Sequence, residues 1–334
     1  MATVDWGVIG HGWAVDLLQR QLARATAHHA YLITGPDGVG RVRLALAFAQ
    51  ALLCEAPPRP GEFCGACRAC RQVPGRSYPD LHWVERPEDK QGISIEQVRE
   101  LQRQLSLSSL AGGGRVAVLL EVDKASEGAA NALLKTLEEP AGRVHLLLTA
   151  SDVEEVPPTI ASRCEVLALR PVALAEIVSA IEARGASAAE AREVAALANG
   201  RPELALRMLA DPALRSRRLG YATQLNDTLQ LGLAGRFGLA DEWKEDEHLE
   251  ERLAVWLVLL GDALRSAAGT AAGEKPTTIA QLRDQVQIRR ALEAILRTLN
   301  ALKSNANTRL AIETLMLDLP AANLAASAKP GVVG

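Results

Sequence analysis

The sequence has few aromatic residues, no excess of basic charge and no long apolar run. The first bears on the fold, and the other two argue against particular classes of protein. Aromatic side chains make up 3% of the 334 residues, whereas alanine and leucine recur throughout, so we expect long helices that pack through small side chains. The formal net charge of -3 argues against a chain that binds nucleic acid by itself, because phosphate contacts normally require a basic surplus.

The absence of a long apolar run bears on the location of the protein. No stretch approaches the roughly 18 consecutive apolar residues that a membrane-spanning helix needs. The opening residues, MATVDWGVIG, lack the basic region and the apolar core of a signal peptide. We therefore expect a cytosolic, cytoplasmic protein with no membrane partner.

Short apolar runs do occur, and in the first half of the chain they alternate with helical stretches. This alternation is typical of buried parallel strands with helices on both faces of the sheet, and it predicts an α/β domain. The predicted strands are Ala30–Thr34, Leu81–Glu85, Arg115–Val122, Val144–Ala150 and Cys164–Arg170.

The pattern changes at Pro171, after which no strand-like run occurs. Short helical segments follow, one of them with Ser187 as its candidate N-terminal cap, and longer amphipathic segments begin after Pro212. The predicted regions are an α/β domain at 1–169, a small helical lid domain at 170–211, a larger all-α domain at 212–325 and a flexible tail at 326–334.

The segment GPDGVGRV has the context of a phosphate-binding loop but lacks two of its chemical groups. Gly35, Gly38 and Gly40 lie between a predicted strand and a predicted helix, so they keep the backbone path that cradles phosphate. A working loop continues with lysine, which reaches the phosphates, and with serine or threonine, which binds magnesium. Here Arg41 is bulkier and planar, and Val42 has no oxygen atom to offer a metal.

The second metal contact of such a site is also missing. Leu120 stands where an acidic residue is expected at the end of a neighbouring strand, and Glu121 follows it. We expect no ATP hydrolysis by this loop, whereas passive nucleotide binding stays open, and so does a simple strand-to-helix turn. A competing hypothesis is an active ATPase in which Arg41 replaces the lysine and Glu121 holds magnesium together with waters.

Four of the five cysteines lie in one segment, with nine, two and two residues between successive members. Cys54, Cys64, Cys67 and Cys70 suit a tetrahedral, structural zinc site with four thiolate ligands and no open position for water. An iron–sulfur cluster uses a similar grouping of cysteines, but nothing else in the chain suggests electron transfer. Cys164 stands apart and is predicted to be a core residue.

Four further segments carry specific patterns: ISIEQVREL at Ile93–Leu101, ANALLKTLEEP at Ala130–Pro140, SRC at Ser162–Cys164 and NANTRLAIETLMLDLP at Asn305–Pro320. Together with the cysteine cluster they resemble the bacterial clamp-loader subunits of the AAA+ class, and the similarity spans nearly the whole chain. It implies a P-loop-type domain with a zinc-binding insertion, a small helical lid domain and a C-terminal helical collar domain.

The resemblance also implies roles for individual residues. The family's serine-arginine-cysteine motif, here Ser162, Arg163 and Cys164, supplies an arginine finger in trans to the ATP site of a neighbouring subunit. Such a guanidinium stabilises the charge on the transferring phosphoryl group. The alternative for Arg163 is an ion pair that joins the start of a strand to a carboxylate. Thr149 stands at the position of the family's γ-phosphate sensor.

The charged residues of ANALLKTLEEP could be mistaken for catalytic groups. Ala130 and Leu133 recur with their apolar neighbours at helical spacing, which predicts an amphipathic helix buried on the sheet. We therefore expect Lys135, Glu138 and Glu139 to be solvated rather than catalytic.

Within the family, some subunits keep an intact loop and hydrolyse ATP, whereas a non-catalytic member has a degraded loop, which Arg41, Val42 and Leu120 resemble. The resemblance implies a rigid stator in a five-subunit ring, not a homo-oligomer. Its implied partners are the clamp-loader ATPase subunits (gamma/tau), the delta subunit and, through the complex, the sliding clamp and primed DNA. The alternatives are a catalytically active gamma/tau-like subunit and a zinc-stapled nucleic-acid-binding module, which the acidic balance disfavours.

Overall fold

The computed structural model describes residues 6–87, 92–109, 114–140, 142–267, 284–304 and 306–320. The chain divides into two compact units, Met1–Leu206 and Arg207–Gly334. The first unit contains a parallel sheet with helices, and the described part of the second unit is helical. The predicted domain boundaries at residues 169 and 211 stay predictions, and the predicted tail at 326–334 lies outside the described residues.

The sheet of the first unit has five parallel strands. They are β1 (Ala30–Thr34), β2 (Leu81–Val84), β3 (Arg115–Leu119), β4 (Val144–Ala150) and β5 (Glu165–Ala168). Their order in the sheet is β2-β3-β4-β1-β5. All residues of β1 are buried, because this strand lies between β4 and β5 and is covered on both faces. The predicted α/β fold with a parallel sheet is therefore confirmed.

Nine helices accompany the sheet in the described part of the first unit. They are α1 (Gly12–Ala23), α2 (Arg41–Leu53), α3 (Arg68–Gln72), α4 (Ile95–Ser106), α5 (Glu127–Glu138), α6 (Pro158–Ala161), α7 (Leu174–Glu182), α8 (Ala188–Ala198) and α9 (Pro202–Ala210), in which the boundary between the units falls. A hydrophobic core lies on each face of the sheet, between the strands and the helices that cover them. One contains Tyr31 and Phe48 with residues of α1 and α2, and the other contains Leu32 with residues of α4 and α5.

Local sequence signals explain where several elements begin and end. Ser187 caps α8 by accepting a hydrogen bond from the backbone N–H of Glu190, as the sequence predicts. The strand predicted to run to Val122 ends at Leu119, so that boundary was wrong. Glu121 has a φ of 54°, which no strand accommodates, and the backbone turns away from the sheet there.

The described part of the second unit consists of five helices. They are α10 (Pro212–Gln230), α11 (Leu233–Trp243), α12 (Leu249–Ala267), α13 (Gln285–Lys303) and α14 (Thr308–Asp318). Trp256 lies fully buried at the centre of their core, edge-on to Trp243, and its indole N–H donates to the carbonyl of Tyr221 at 2.9 Å. None of the helices in the described ranges is long and apolar enough to cross a lipid bilayer.

A buried arginine joins two helix ends in this unit. Arg236 on α11 is 3% exposed, and its guanidinium donates to six backbone carbonyls instead of to a carboxylate. The carbonyls at a helix C-terminus carry partial negative charge and lack hydrogen-bond donors within the helix. A guanidinium supplies both the positive charge and the donors. The acceptors are Thr228, Leu229 and Leu231 at the end of α10, and Met316, Leu319 and Pro320 at the end of α14.

Candidate functional site

The predicted phosphate loop joins β1 to α2, and its three glycines have the backbone conformations that such a loop requires. Gly35, Gly38 and Gly40 have φ angles of 143°, 77° and 116°, in the region that favours glycine. A Cβ atom on Gly35 would lie 2.5 Å from the carbonyl oxygen of Leu169, so no other residue fits there without movement. These backbone conformations are compatible with a phosphate loop, which stays a prediction.

The side chains that follow the loop do not restore its chemistry. Arg41, at the lysine position, is 9% exposed, and among the described residues its Nη1 atom has no hydrogen-bond partner. Val42 is half-buried and offers no oxygen. His11, which is 2% exposed, makes a 3.0 Å hydrogen bond through Nε2 to the carbonyl of Val39. Burial lowers the pKa of His11, so the neutral ring acts as a donor within the loop.

The start of α9 lies on the loop. The backbone N–H of Glu203 donates to the carbonyl oxygen of Gly38 at 2.9 Å, and the Glu203 carboxylate pairs with Arg43 of α2 at 3.2 Å. A Cβ atom on Gly38 would lie 3.2 Å from Cβ of Leu204. The small helical region therefore touches the loop directly and places a carboxylate beside it. The sequence predicts short helices after Pro171 but not what they pack against.

The position directly after β3 also lacks the acidic side chain expected of a metal site. Leu120 follows β3, and the Glu121 carboxylate pairs with Lys124 at 2.6 Å and with Arg86 at 3.8 Å. The hydroxyl oxygen of Thr149 is buried and accepts a hydrogen bond from the backbone N–H of Glu121 at 3.0 Å. Glu121 is thus held by two cations, which weighs against the hypothesis that it helps to bind magnesium.

The four clustered cysteines converge as their spacing predicts. The sulfur atoms of Cys54, Cys64, Cys67 and Cys70 all lie within 4.8 Å of one another. Three of the sulfur pairs are 3.6, 3.8 and 4.0 Å apart. A tetrahedral zinc ion with Zn–S bonds of about 2.3 Å requires separations of about 3.8 Å, whereas a disulfide requires about 2.05 Å. The donor set fits a metal ion such as zinc.

Backbone amides orient the sulfur atoms of this cluster. Cys64 Sγ accepts from the N–H groups of Ala66 and Cys67, and Cys67 Sγ accepts from the N–H of Cys70 at the start of α3. The amides of Ala66 and Cys67 lower the pKa of Cys64 to about 6, which favours the thiolate that a metal needs. Burial instead raises the pKa values of Cys54 and Cys70, so metal binding would have to displace their protons.

Arg163 lies in the turn between α6 and β5, on the surface. Its Nη2 atom donates to Oε1 of Glu138 at 2.5 Å, and its Nη1 atom donates to the carbonyl of Thr159 at 2.9 Å and to Oγ of Ser162 at 3.4 Å. These partners lie outside the phosphate loop. Cys164 packs against the core, and burial raises its pKa to about 12, so it is an unreactive thiol.

The expectation that the charges of α5 are solvated is right for Lys135 and Glu139, which are exposed. It is incomplete for Glu138, because this residue forms the ion pair with Arg163. The apolar positions Ala130, Leu133 and Leu137 are buried as the periodicity predicts. Helical periodicity identifies the exposed side of α5, but it carries no signal for the partner found there.

Comparisons with known proteins agree on one group. A family model described as "DNA polymerase III, delta subunit" matches residues 10–173. A DNA polymerase III subunit delta' of Pseudomonas aeruginosa is 35% identical over 233 residues, which are 69% of this chain and 70% of that protein. A DNA polymerase III subunit tau of Bacillus subtilis is 33% identical over 158 residues, which are 47% of this chain and 27% of that protein.

Among solved structures, a DNA polymerase III gamma subunit-related protein from Thermotoga maritima resembles this chain with a TM-score of 0.52. The match covers 91% of this chain and 97% of that one at 16% sequence identity. At this identity the likeness concerns the fold alone, and it agrees with the predicted architecture of a P-loop-type α/β domain followed by helical regions.

Proposed function

The chain belongs to the DNA polymerase III delta-prime family, and we propose that it is a non-catalytic subunit of the clamp loader of that polymerase. It acts in DNA replication, within the DNA polymerase III holoenzyme. Its partners in this proposal are the gamma/tau ATPase subunits and the delta subunit, and the assembly as a whole acts on the sliding clamp and primed DNA. The degraded loop of Arg41, Val42 and Leu120 is the sequence feature that favours delta-prime over gamma/tau.

The phosphate loop is the observation that carries the non-catalytic part of this proposal. Its glycines keep their backbone conformations, whereas Arg41 is buried and Val42 and Leu120 contribute no metal ligand. Magnesium neutralises the charge that develops on a transferring phosphoryl group, so a site without either metal contact has lost the chemistry of hydrolysis. The chain retains the fold of an ATPase subunit without the groups that perform its reaction.

The stator role is supported by the contact between α9 and the loop. In an ATPase of this fold a nucleotide would lie against the loop, and its loss or gain would alter what the loop contacts. Here the Glu203–Gly38 hydrogen bond and the Arg43–Glu203 ion pair connect the helical region to the loop through protein contacts. These contacts hold the loop against α9, which supports the role of a rigid subunit.

Arg163 is the residue proposed to act on a partner. We infer that its guanidinium reaches the ATP site of the adjacent ATPase subunit and stabilises charge on the transferring phosphoryl group, as an arginine finger. Arg163 is partly exposed, its partners are Ser162, Thr159 and Glu138, and none of these belongs to this chain's own loop. An arginine that serves a partner's site requires no metal site of its own.

The four-cysteine cluster is proposed to hold one structural zinc ion. Zinc would be bound by the thiolates of Cys54, Cys64, Cys67 and Cys70 and would fix the segment that follows α2. Gln50 of α2 donates to the carbonyl of Cys70 at 2.9 Å, which ties the cluster to the domain. With four protein ligands the ion would have no open position for water, so its role would be folding rather than catalysis.

Two measurements test this function. The purified chain should show no magnesium-dependent ATP hydrolysis above that of a Gly40→Asp control, in which the loop is disrupted. In the reconstituted clamp-loader complex with clamp and primed DNA, Arg163→Ala should lower the ATPase rate by roughly a thousandfold at the affected site, by analogy with other arginine fingers. Hydrolysis by the isolated chain would establish the gamma/tau-like alternative, and an unchanged rate of the Arg163→Ala complex would remove the finger role.

A further inference from the structure

The tip of the Arg163 side chain is already engaged within the chain. Nη2 pairs with Glu138 at 2.5 Å, and Nη1 donates to the carbonyl of Thr159 at 2.9 Å. These two nitrogens reach furthest from the backbone, so they are the atoms that would meet a phosphate on a neighbouring subunit. Glu138 therefore occupies one of the positions that such a phosphate would need.

The backbone positions of both residues are fixed by buried neighbours. Glu138 is the last residue of α5, directly after Leu137, which is 1% exposed. Arg163 is preceded by Ile160, also 1% exposed, and followed by Cys164, which packs against the same core. The ion pair thus joins two anchored points, and only the two side chains are able to move.

The location of Glu138 favours a nearby cation. A carboxylate at a helix C-terminus lies beside the partial negative charge of the last carbonyls, which is unfavourable. Arg163 supplies the compensating charge. The same arginine can therefore serve two anions, the carboxylate at the end of α5 and a phosphate brought by another subunit.

Both members of the pair are partly exposed, Arg163 by 36% and Glu138 by 50%. Ion pairs in such positions are weak and are screened by salt. A phosphate carries more negative charge than a carboxylate and also matches the fork of a guanidinium. Exchange of Glu138 for a phosphate is therefore possible at small cost.

We propose that Glu138 is a positioning residue that acts through Arg163. Its carboxylate holds the guanidinium while no nucleotide is presented by a neighbouring subunit, and the phosphates of that nucleotide displace it. The inference rests on the proposed finger role of Arg163. In this arrangement Glu138 competes with the nucleotide for Arg163 and makes engagement of the finger conditional on a bound nucleotide.

The test uses the reconstituted complex with clamp and primed DNA. Glu138→Gln keeps the shape of the side chain and removes its charge, so the guanidinium is released. We expect the KM for ATP to fall by about two- to fivefold with kcat unchanged, which corresponds to the strength of an exposed ion pair. Glu139→Gln, the same change at the next position, is the matched control and should leave both constants unchanged. Glu138→Asp, which keeps the charge, should restore the original KM at least in part.

Two further measurements separate this role from a structural one. In an Arg163→Ala background, Glu138→Gln should have no effect on KM, because the guanidinium for which Glu138 and the nucleotide compete is gone. Raising the salt concentration should reduce the difference in KM between the Glu138→Gln complex and the original complex, because salt weakens the Arg163–Glu138 ion pair in the original complex. A structural role would produce neither dependence.

The measurements distinguish failure of the Glu138 proposal from failure of the finger role of Arg163. If Arg163→Ala leaves the complex unchanged, the finger role itself is wrong. If Arg163→Ala lowers the rate but Glu138→Gln leaves KM unchanged or raises it, the finger stands and the competition by Glu138 is refuted. An effect of Glu138→Gln that persists in the Arg163→Ala background also contradicts the proposal.

Discussion

The backbone N–H of Glu203 and the carbonyl oxygen of Gly38 form a 2.9 Å hydrogen bond between residues 165 positions apart in the sequence. It places the first turn of α9 against the predicted phosphate loop. Leu204 approaches the same glycine from α9. The loop is therefore part of a packed contact, and a glycine at position 38 is favoured by that contact as well as by its backbone angle.

We predict that Gly38→Ala destabilises the first unit by about 2–3 kcal/mol, because the residue has a φ of 77° and its new Cβ would meet Leu204 at 3.2 Å. Gly142→Ala is the matched control. Gly142 has a φ of 73° but no neighbouring atom within 4 Å, so its cost should be only about 1 kcal/mol. Urea unfolding of both variants would measure the difference, and equal losses would show that α9 is not held on the loop.

The cysteine cluster predicts that the purified protein contains a bound metal ion. Purified protein should contain about one zinc ion per chain, and Cys67→Ser with Cys70→Ser should lose the metal and lower the melting temperature of the first unit. Cys164→Ser removes a cysteine outside the cluster and should keep the zinc. Elemental analysis and thermal unfolding measure both properties. Visible absorption from iron, or unchanged stability of the metal-free double variant, would contradict the assignment.

Arg236 should be essential to the second unit. Arg236→Lys keeps the charge but can serve only part of the six carbonyls, so several buried acceptors would lose their partner. We expect a loss of about 3 kcal/mol or more in the free energy of unfolding. Arg309→Lys is the control, since Arg309 is an exposed arginine that pairs with Asp241 and Glu313, and it should change stability by less than about 0.5 kcal/mol. Similar losses for the two variants would disprove the special role of Arg236.

The first unit should lose stability on mild acidification. Burial lowers the pKa values of His11, His82 and His145 below their usual 6.5. Below that pH the unfolded chain binds protons that the folded chain does not, so stability is full above about pH 6.5 and decreases as the pH falls toward the lowered values. Urea unfolding at pH 7.5 and 6.0 measures the effect.

His11→Gln provides the control for this pH dependence. The glutamine amide can still donate to the carbonyl of Val39 but does not titrate, so the variant should lose less stability between the two pH values. An identical loss in both proteins would show that His11 does not contribute, and a gain on acidification would show that the sign is wrong.

The sheet and the cysteine cluster could be predicted from the sequence because their signals are local. A buried parallel strand appears as a continuous apolar run, as at Ala30–Thr34, and the four clustered cysteines lie in one segment of the sequence, with three of them closely spaced. The end of β3 could not be placed, because the turn at Glu121 depends on a left-handed backbone that its residue type does not favour.

The contacts made by charged side chains could not be predicted. Periodicity indicated that Glu138 is exposed, but its partner Arg163 lies 25 residues away and is brought near only by the packing of α5 and α6. Arg236 appears in the sequence as one more polar position of an amphipathic helix. Its burial depends on where two other helices end, and this is a property of the packed unit rather than of its own segment.

The position of Arg236 limits how the chain can be shortened. Three of its hydrogen bonds end on Met316, Leu319 and Pro320, and the other three end on residues near the C-terminus of α10. A chain truncated before residue 316 would leave the guanidinium buried with half of its acceptors missing, and the damage would reach Arg236, eighty positions upstream of Met316. Deletions or fusions at this end of the collar therefore preserve the fold only if they begin after Pro320.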